Sequence, residues 1–87
     1  MKYNVRYDDE IINVNTQNVD PKGATSVTFE NYGDEDIIIN KSIRLLKGNS
    51  LVFDNYPNET IVSQFKIQFS GLGVNPQCLI IRKFVNP

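Results

Sequence analysis

Histidine is missing from the chain, and cysteine occurs once, at Cys78, among 87 residues. Without an imidazole there is no Ser-His or Cys-His nucleophile pair and no histidine general base. A lone cysteine excludes a disulfide within the chain and, without histidine, argues against structural zinc. Cys78 lies in an apolar segment and is interpreted as a packing residue. The sequence therefore predicts a non-enzymatic protein with no catalytic residue, metal or cofactor.

An excess of charge of either sign is also missing. Nine Lys and Arg residues stand against ten Asp and Glu, for a net charge of −1. Nucleic-acid-binding proteins normally carry a basic stripe, so we predict no nucleic-acid partner. No apolar run reaches the roughly 18 residues of a transmembrane helix, which predicts no membrane partner. The beginning of the chain, MKYNVRYDDE, lacks the apolar stretch of a secretory signal, so the cytoplasm is the expected compartment.

The length of the chain limits its core. Residues 1–87 are enough for a single domain, and a domain of this size buries only roughly 60–65% of its unfolded surface. Small domains commonly gain stability from disulfides, metals or neighbouring subunits. Since the first two are not expected, either the sandwich is unusually well formed or neighbouring chains stabilise it. We predict other protein subunits as partners, in a homo- or hetero-oligomer.

What the sequence does contain is a period of two. In Thr60–Ser70, TIVSQFKIQFS, the apolar residues Ile61, Phe65, Ile67 and Phe69 alternate with polar ones. Successive side chains of a β-strand point to opposite faces, so this pattern predicts a strand with one buried face.

Gly, Pro, Asn and Asp interrupt the chain at short intervals and predict turns. The segments between them predict strands at Lys2–Tyr7, Glu10–Asn15, Thr25–Asn31, Asp36–Asn40, Ser42–Leu46, Ser50–Asp54, Thr60–Ser70 and Gln77–Val85. The predicted fold is all-β: an antiparallel sandwich, of jelly-roll or immunoglobulin-like type, or a flattened barrel of about seven or eight strands. Residues 1–15 are predicted to form an N-terminal hairpin or arm, which packs on its own domain or on a neighbour. Thr16–Lys22 is predicted to be a loop.

The last predicted strand is apolar on both faces. Cys78, Ile80 and Phe84 share one face, whereas Leu79, Ile81 and Val85 share the other. A strand apolar on both faces needs cover on both. Either a loop or the N-terminal hairpin folds over the outer face, or another protein chain does. Under the second hypothesis the partner-binding residues are Leu79, Ile81 and Val85, joined by Tyr3 and Val5 of the first strand.

Two acidic clusters allow several interpretations. Asp8-Asp9-Glu10 and Asp34-Glu35-Asp36 are predicted to lie in turns, where solvated acids are common. Oxygen ligands on a loop also suit calcium, although neither cluster has the spacing of a known calcium loop. Partner contact, or protection of exposed sheet edges, is the remaining alternative.

Tyr32 and Tyr56 lie in predicted turns beside amides and acids. Tyrosine is enriched in protein interfaces, so both join the predicted partner-binding residues. Stacking on a sugar ring, or packing of each ring over the end of its sheet, are the alternatives.

The middle of the chain resembles a known group of proteins. Val27–Gly33 (VTFENYG), then Asp36–Asn40, then Leu45–Ser50 (LLKGNS), follow a strand, Asn-x-Gly turn, strand, Leu-x-x-Gly-x-Ser turn pattern. This run is similar to small β-sandwich virion proteins of bacteriophages, with Lys47 where proline often precedes the glycine. The resemblance covers about residues 25–54 and implies a capsid, decoration or tail component, located in the virion or the host cytoplasm. The alternative is a soluble binding protein, either an inhibitor of a host enzyme or a small carbohydrate-binding module.

Overall fold

A computed structural model describes residues 2–86, and this part of the chain folds into β-strands without a helix. The strands are β1 (Asn4–Ile12), β2 (Thr16–Val19), β3 (Ser26–Asn31), β4 (Ile37–Ile39), β5 (Ile43–Leu45), β6 (Ser50–Phe53), β7 (Phe65–Phe69) and β8 (Cys78–Asn86). The predicted all-β class is confirmed.

The strands form two four-stranded antiparallel sheets. Their orders are β1-β8-β3-β6 and β2-β7-β4-β5. The chain crosses from one sheet to the other at every connection except that between β4 and β5. This is the strand order of an eight-stranded jelly roll, which contains two Greek keys. The order decides between the two types of sandwich that the sequence left open.

The core lies between the inner faces of the sheets. Phe29 of β3 and Phe65 of β7 pack edge to face across it, with ring centroids 5.1 Å apart. The apolar core residues that are buried in this layer are Val19, Ala24, Val27, Phe29, Ile37, Ile39, Leu45, Phe65, Ile67, Cys78, Ile80 and Phe84. They include most of the residues that alternation predicted, because each inner face takes every second side chain of its strands.

The predicted N-terminal hairpin is wrong. Lys2–Tyr7 and Glu10–Asn15 were expected to be separate strands, but β1 runs without interruption through Asp8 and Asp9. It pairs with β8 over its whole length, from Asn4 opposite Asn86 to Ile12 opposite Cys78. The two aspartates favour a turn only by composition, and the long ladder with β8 outweighs that local preference.

The predicted loop at Thr16–Lys22 is wrong over its first half. Thr16–Val19 forms β2, in which Thr16 lies opposite Ile67 and Val19 opposite Phe65. Val19 is 3% exposed and supplies the only large apolar anchor of this strand. A strand with one apolar residue among polar ones carries too weak an alternation to be recognised in the sequence.

The predicted strand at Thr60–Ser70 is too long. Only Phe65–Phe69 is a strand. The preceding residues are irregular: the Ile61 amide donates to the Ala24 carbonyl at 2.8 Å, while Val62 is 87% exposed. Ile61 therefore packs against the core from a loop. It is partly buried, in keeping with the alternating pattern, but it is not paired with a neighbouring strand.

Candidate partner-binding surface

The two faces of β8 differ in burial. The inner side chains are buried, and they belong to Cys78, Ile80, Arg82 and Phe84. The outer side chains are half-buried, and they belong to Leu79, Ile81, Lys83 and Val85. Strands β1 and β3 flank β8 and cover its outer face from the sides only.

The register of the sheet extends this apolar surface onto the neighbouring strands. Val5 lies opposite Val85 and Ile11 opposite Leu79, so these pairs share the outer face. We call the surface the outer apolar face; it comprises Val5, Tyr7, Ile11, Val52, Leu79, Ile81 and Val85. Val5, Tyr7, Ile11 and Val52 are 49%, 65%, 60% and 53% exposed. Because these four side chains are exposed, no segment among residues 2–86 covers the face.

The outer face of the other sheet is polar by comparison. Ile38 of β4 lies opposite Arg44 on one side and Gln68 on the other, and Lys66 follows on the same face as Gln68. Arg44 and Gln68 are exposed. A solvated antiparallel sheet normally has such an outer face, and the outer apolar face departs from that pattern.

Sequence reasoning found part of the outer apolar face and missed part of it. The predicted residues Leu79, Ile81, Val85 and Val5 lie together on it. Tyr3 immediately precedes β1 and is 42% exposed. Tyr7 and Ile11 were missed because a turn was predicted at Asp8-Asp9, which ended the alternating pattern there. In the continuous strand, residues 3, 5, 7 and 11 are all odd-numbered positions of one alternation.

Tyr32 and Tyr56 lie far from one another, at opposite ends of β6. Tyr32 follows the end of β3 that pairs with Ser50, whereas Tyr56 follows the end of β6 that pairs with Val27. Hydrogen bonding to Glu30, its negative charge and partial desolvation raise the pKa of Tyr32, which places this ring beside the outer-face residue Glu30. Tyr32 thus borders the outer apolar face and Tyr56 does not.

Tyr56 instead borders a separate surface depression of about 370 Å³. Its other lining residues are Asp54, Asn55 and Glu59. The Glu59 carboxylate accepts a hydrogen bond from the Tyr56 amide at 3.1 Å. Tyr56 is 75% exposed, so the ring is not packed over the end of its sheet.

The second acidic cluster binds backbone amides. The Glu35 carboxylate accepts from the amides of Gly71 and Gly73 at 2.8 and 2.9 Å. Asp34 accepts from the amides of Val74 and Asn75, both at 2.9 Å. These bonds hold the pKa of Asp34 below its ordinary value. The two side chains hold the loop between β7 and β8 against the start of β4.

Glycine is required where this loop approaches most closely. A Cβ on Gly73 would lie 2.2 Å from Asp34 Oδ1, and one on Gly33 would lie 2.5 Å from the Gln77 amide nitrogen. Both contacts are impossible for a real Cβ atom. Gly33 therefore allows the turn to pack against the backbone of the loop, and Gly73 allows the loop to approach the carboxylates of Asp34 and Glu35.

The first acidic cluster faces a buried arginine. Arg82 is 1% exposed; its guanidinium is hydrogen-bonded to Glu10, and its Nη1 lies 3.8 Å from Asp8 Oδ2. Arg82 Nε also donates to the Asp20 carbonyl at 2.9 Å. Asp8 and Glu10 share this inner face, since they lie two residues apart in β1, while Asp9 points outward. The predicted turn is therefore wrong for the first cluster, which lies in a strand. The second cluster does lie in a turn between β3 and β4, where Asp34 is exposed and Glu35 is buried, and both carboxylates are bonded to loop amides.

Cys78 is fully buried in the core, as predicted for a packing residue. Burial raises the pKa of its thiol to about 12. A thiol that stays protonated and inaccessible is a poor nucleophile.

No cluster of three or more acids, cysteines or histidines among residues 2–86 is arranged to hold a metal ion. The same residues include no helix long and apolar enough to cross a membrane. No family profile matches the chain, and no curated protein or solved structure is significantly similar to it.

Proposed function

We propose that this protein is a non-enzymatic interaction module that acts as a subunit of a larger protein assembly. The observation that carries the proposal is the outer apolar face, which is open on one sheet while the outer face of the other sheet is polar. Exposed apolar surface on a small domain, interrupted here by Asp9, Glu30 and Lys83 on the same face, is typical of a protein–protein contact. The proposed contact residues are those of this face, together with Tyr3 and Tyr32 at its borders.

A bacteriophage virion is the assembly that we favour. The support is the resemblance of residues 25–54 to small virion proteins, joined by the jelly-roll strand order, which viral capsid proteins use. Lectins and cupins use the same architecture, so the strand order alone does not decide between them.

The test is the native mass of the purified protein and of variants that place a charge on the outer apolar face. Ile11→Asp and Val52→Asp change exposed positions and leave the core intact, and Ile81→Asp changes the middle of the face. We expect all three variants to lose native association. For Ile11→Asp and Val52→Asp we also expect the melting temperature of the free subunit to stay unchanged. Gln68→Asp, on the polar outer face of the other sheet, is the matched control and retains association. Retention of association by Ile11→Asp, Val52→Asp and Ile81→Asp alike contradicts the proposal.

A second candidate function rests on the depression beside Tyr56. An exposed aromatic ring among carboxylates and an amide is suited to stacking and hydrogen bonding with a sugar ring. Under this alternative Tyr56→Ala abolishes binding on a glycan array, whereas Tyr32→Ala leaves it unchanged. An array without any binding by the unaltered protein removes the alternative.

A further inference from the structure

β1 is a long edge strand with one free side. It pairs with β8 through nine consecutive positions without a bulge. No strand among residues 2–86 pairs with its other side. The free side of such a strand presents a row of backbone donors and acceptors to which another strand can add.

The strand lacks several of the features that usually prevent such pairing. Natural edge strands are protected by proline, by lysine, by bulges or by charges that point inward. β1 has no proline, no lysine and no bulge, but four of its nine residues are charged: Arg6, Asp8 and Glu10 on the inner face and Asp9 on the outer one. Asp8 and Glu10 are turned toward the buried Arg82, which compensates their charge. Asp9 is then the one acid that β1 presents on the outer face.

We propose that β1 pairs antiparallel with β1 of a second copy of this chain, with Tyr7 opposite Tyr7 on the two-fold axis. In this register Arg6 lies opposite Asp8 of the second copy, and the same pair occurs again on the other side of the axis. Opposite charges that face one another across antiparallel strands stabilise the pair. The two central tyrosines form an aromatic cross-strand pair, also a favourable one.

Neighbouring registers are worse. An axis at Arg6, at Asp8 or at Asp9 places each of these residues opposite its own copy, so that two like charges meet. Directly opposite like charges are destabilising. Among axes from Arg6 to Asp9, only Tyr7 avoids this contact.

The register also accounts for an exposed aromatic residue. Tyr7 is 65% exposed in the middle of an edge strand, where the ring would pack against its own copy. The sheet that contains β1 in one copy would join the same sheet of the second copy into one continuous sheet. The outer apolar face would then continue across the axis. The inference deepens the proposed function by naming a second copy as one partner. It depends on the edge strand β1, which contributes Val5, Tyr7 and Ile11 to the outer apolar face, and not on the residues of that face in β6 and β8.

Single-cysteine variants test the pairing. Cys78 is buried, so the unaltered chain gives a low background of disulfide formation. Under mild oxidation at micromolar concentration, we expect Tyr7→Cys to form a covalent dimer at least about tenfold faster than Tyr56→Cys, because pairing holds the two thiols at a millimolar effective concentration. Tyr56→Cys is the matched control, since Tyr56 is similarly exposed but lies in a loop. Non-reducing electrophoresis measures the rate.

Equal rates for Tyr7→Cys and Tyr56→Cys overturn the pairing, and a faster rate for Asp8→Cys than for Tyr7→Cys overturns the register. Tyr7→Lys places two like charges opposite one another on the axis, and we expect it to reduce any β1-linked dimer to the subunit mass of 9.9 kDa. An assembly that survives Tyr7→Lys but is lost in Val52→Asp and Ile81→Asp, which lie on the outer apolar face away from β1, overturns the edge pairing and leaves the proposed function intact. The opposite result rejects the outer apolar face as the contact and keeps the edge.

Discussion

The two acidic clusters look alike in the sequence but bind different partners in the fold. Asp8-Asp9-Glu10 lies in β1, where alternation sends Asp8 and Glu10 to the buried Arg82 and Asp9 to the outer face. Asp34-Glu35-Asp36 lies in the segment before β4, where Asp34 and Glu35 both reach the loop between β7 and β8.

The difference lies in what compensates the charge. In the first cluster a guanidinium carries a full positive charge into the sandwich. In the second cluster four backbone amides share the role, and amides that point at a carboxylate stabilise it as a row of partial charges. Backbone geometry, and not the identity of the acids, decides which compensation is used.

Removal of Glu10 is the change with the largest expected effect. Glu10→Ala leaves the 1%-exposed Arg82 without its hydrogen-bonded carboxylate. Removing one partner of a fully buried ion pair costs about 3–5 kcal/mol; because the Glu10 side chain is 43% exposed and Arg82 keeps its bond to the Asp20 carbonyl, we expect a loss of about 2–3 kcal/mol. Asp9→Ala, the neighbour on the outer face, is the control, and we expect it to change the free energy of unfolding by less than about 0.5 kcal/mol. Denaturant unfolding measures both, and equal costs would contradict the alternation of this cluster.

Glu35 provides the matching test in the second cluster. Glu35→Ala removes the acceptor of the Gly71 and Gly73 amides from a side chain that is 5% exposed. Loss of charge-assisted hydrogen bonds of this kind costs about 2 kcal/mol. The control is Asp36→Ala: the Asp36 carboxylate forms an ion pair with the largely exposed Arg44, at 3.8 Å, and such pairs contribute less than about 1 kcal/mol. An Asp36 variant as unstable as the Glu35 variant would reject the assigned difference.

The pH dependence of stability distinguishes the clusters more finely. Asp34 has its pKa lowered from 3.8 in the folded state, chiefly by the amides of Val74 and Asn75. The folded state thus binds this proton more weakly than the unfolded chain. Its stabilisation is present above pH 3.8 and is lost as the pH falls through the lower, folded-state pKa. We expect Asp34→Asn to flatten the loss of stability below that pH in thermal melts, and an unchanged acid limb would contradict this assignment.

Calcium is expected to have the smallest effect. The oxygens of Asp34 and Glu35 are already bonded to amides, so a cation would have to displace those bonds. We expect less than about 1 °C between the melting temperatures measured with calcium and with EDTA, since a ligand that binds weakly to the folded state stabilises it little. A rise of many degrees with calcium would support the calcium hypothesis of the sequence.

The sequence predicted what alternation can reveal. Phe65 and Ile67 recur at every second position of the alternating segment, and both are buried in the core. It failed where composition competes with long-range pairing: Asp8-Asp9 resembles a turn until β8 lies alongside. Partners far apart in sequence, such as Glu35 and Gly73, leave no local signal. The outer apolar face was half visible, since its β8 residues alternate but its continuation onto β1 depends on that same missed pairing.

The position of β8 has a consequence for the order in which the molecule assembles. The last strand along the chain lies in the interior of its sheet, between the first strand and the third. The strand pairing of this sheet therefore cannot be completed until β8 is available. Until then both sides of β1 are unpaired. Formation of this sheet requires closure of nearly the whole chain, a non-local event that is intrinsically slow. A nascent or truncated chain without β8 would expose β1 and β3 together, and the interval before β8 docks is when this protein is most vulnerable to pairing with the wrong strand.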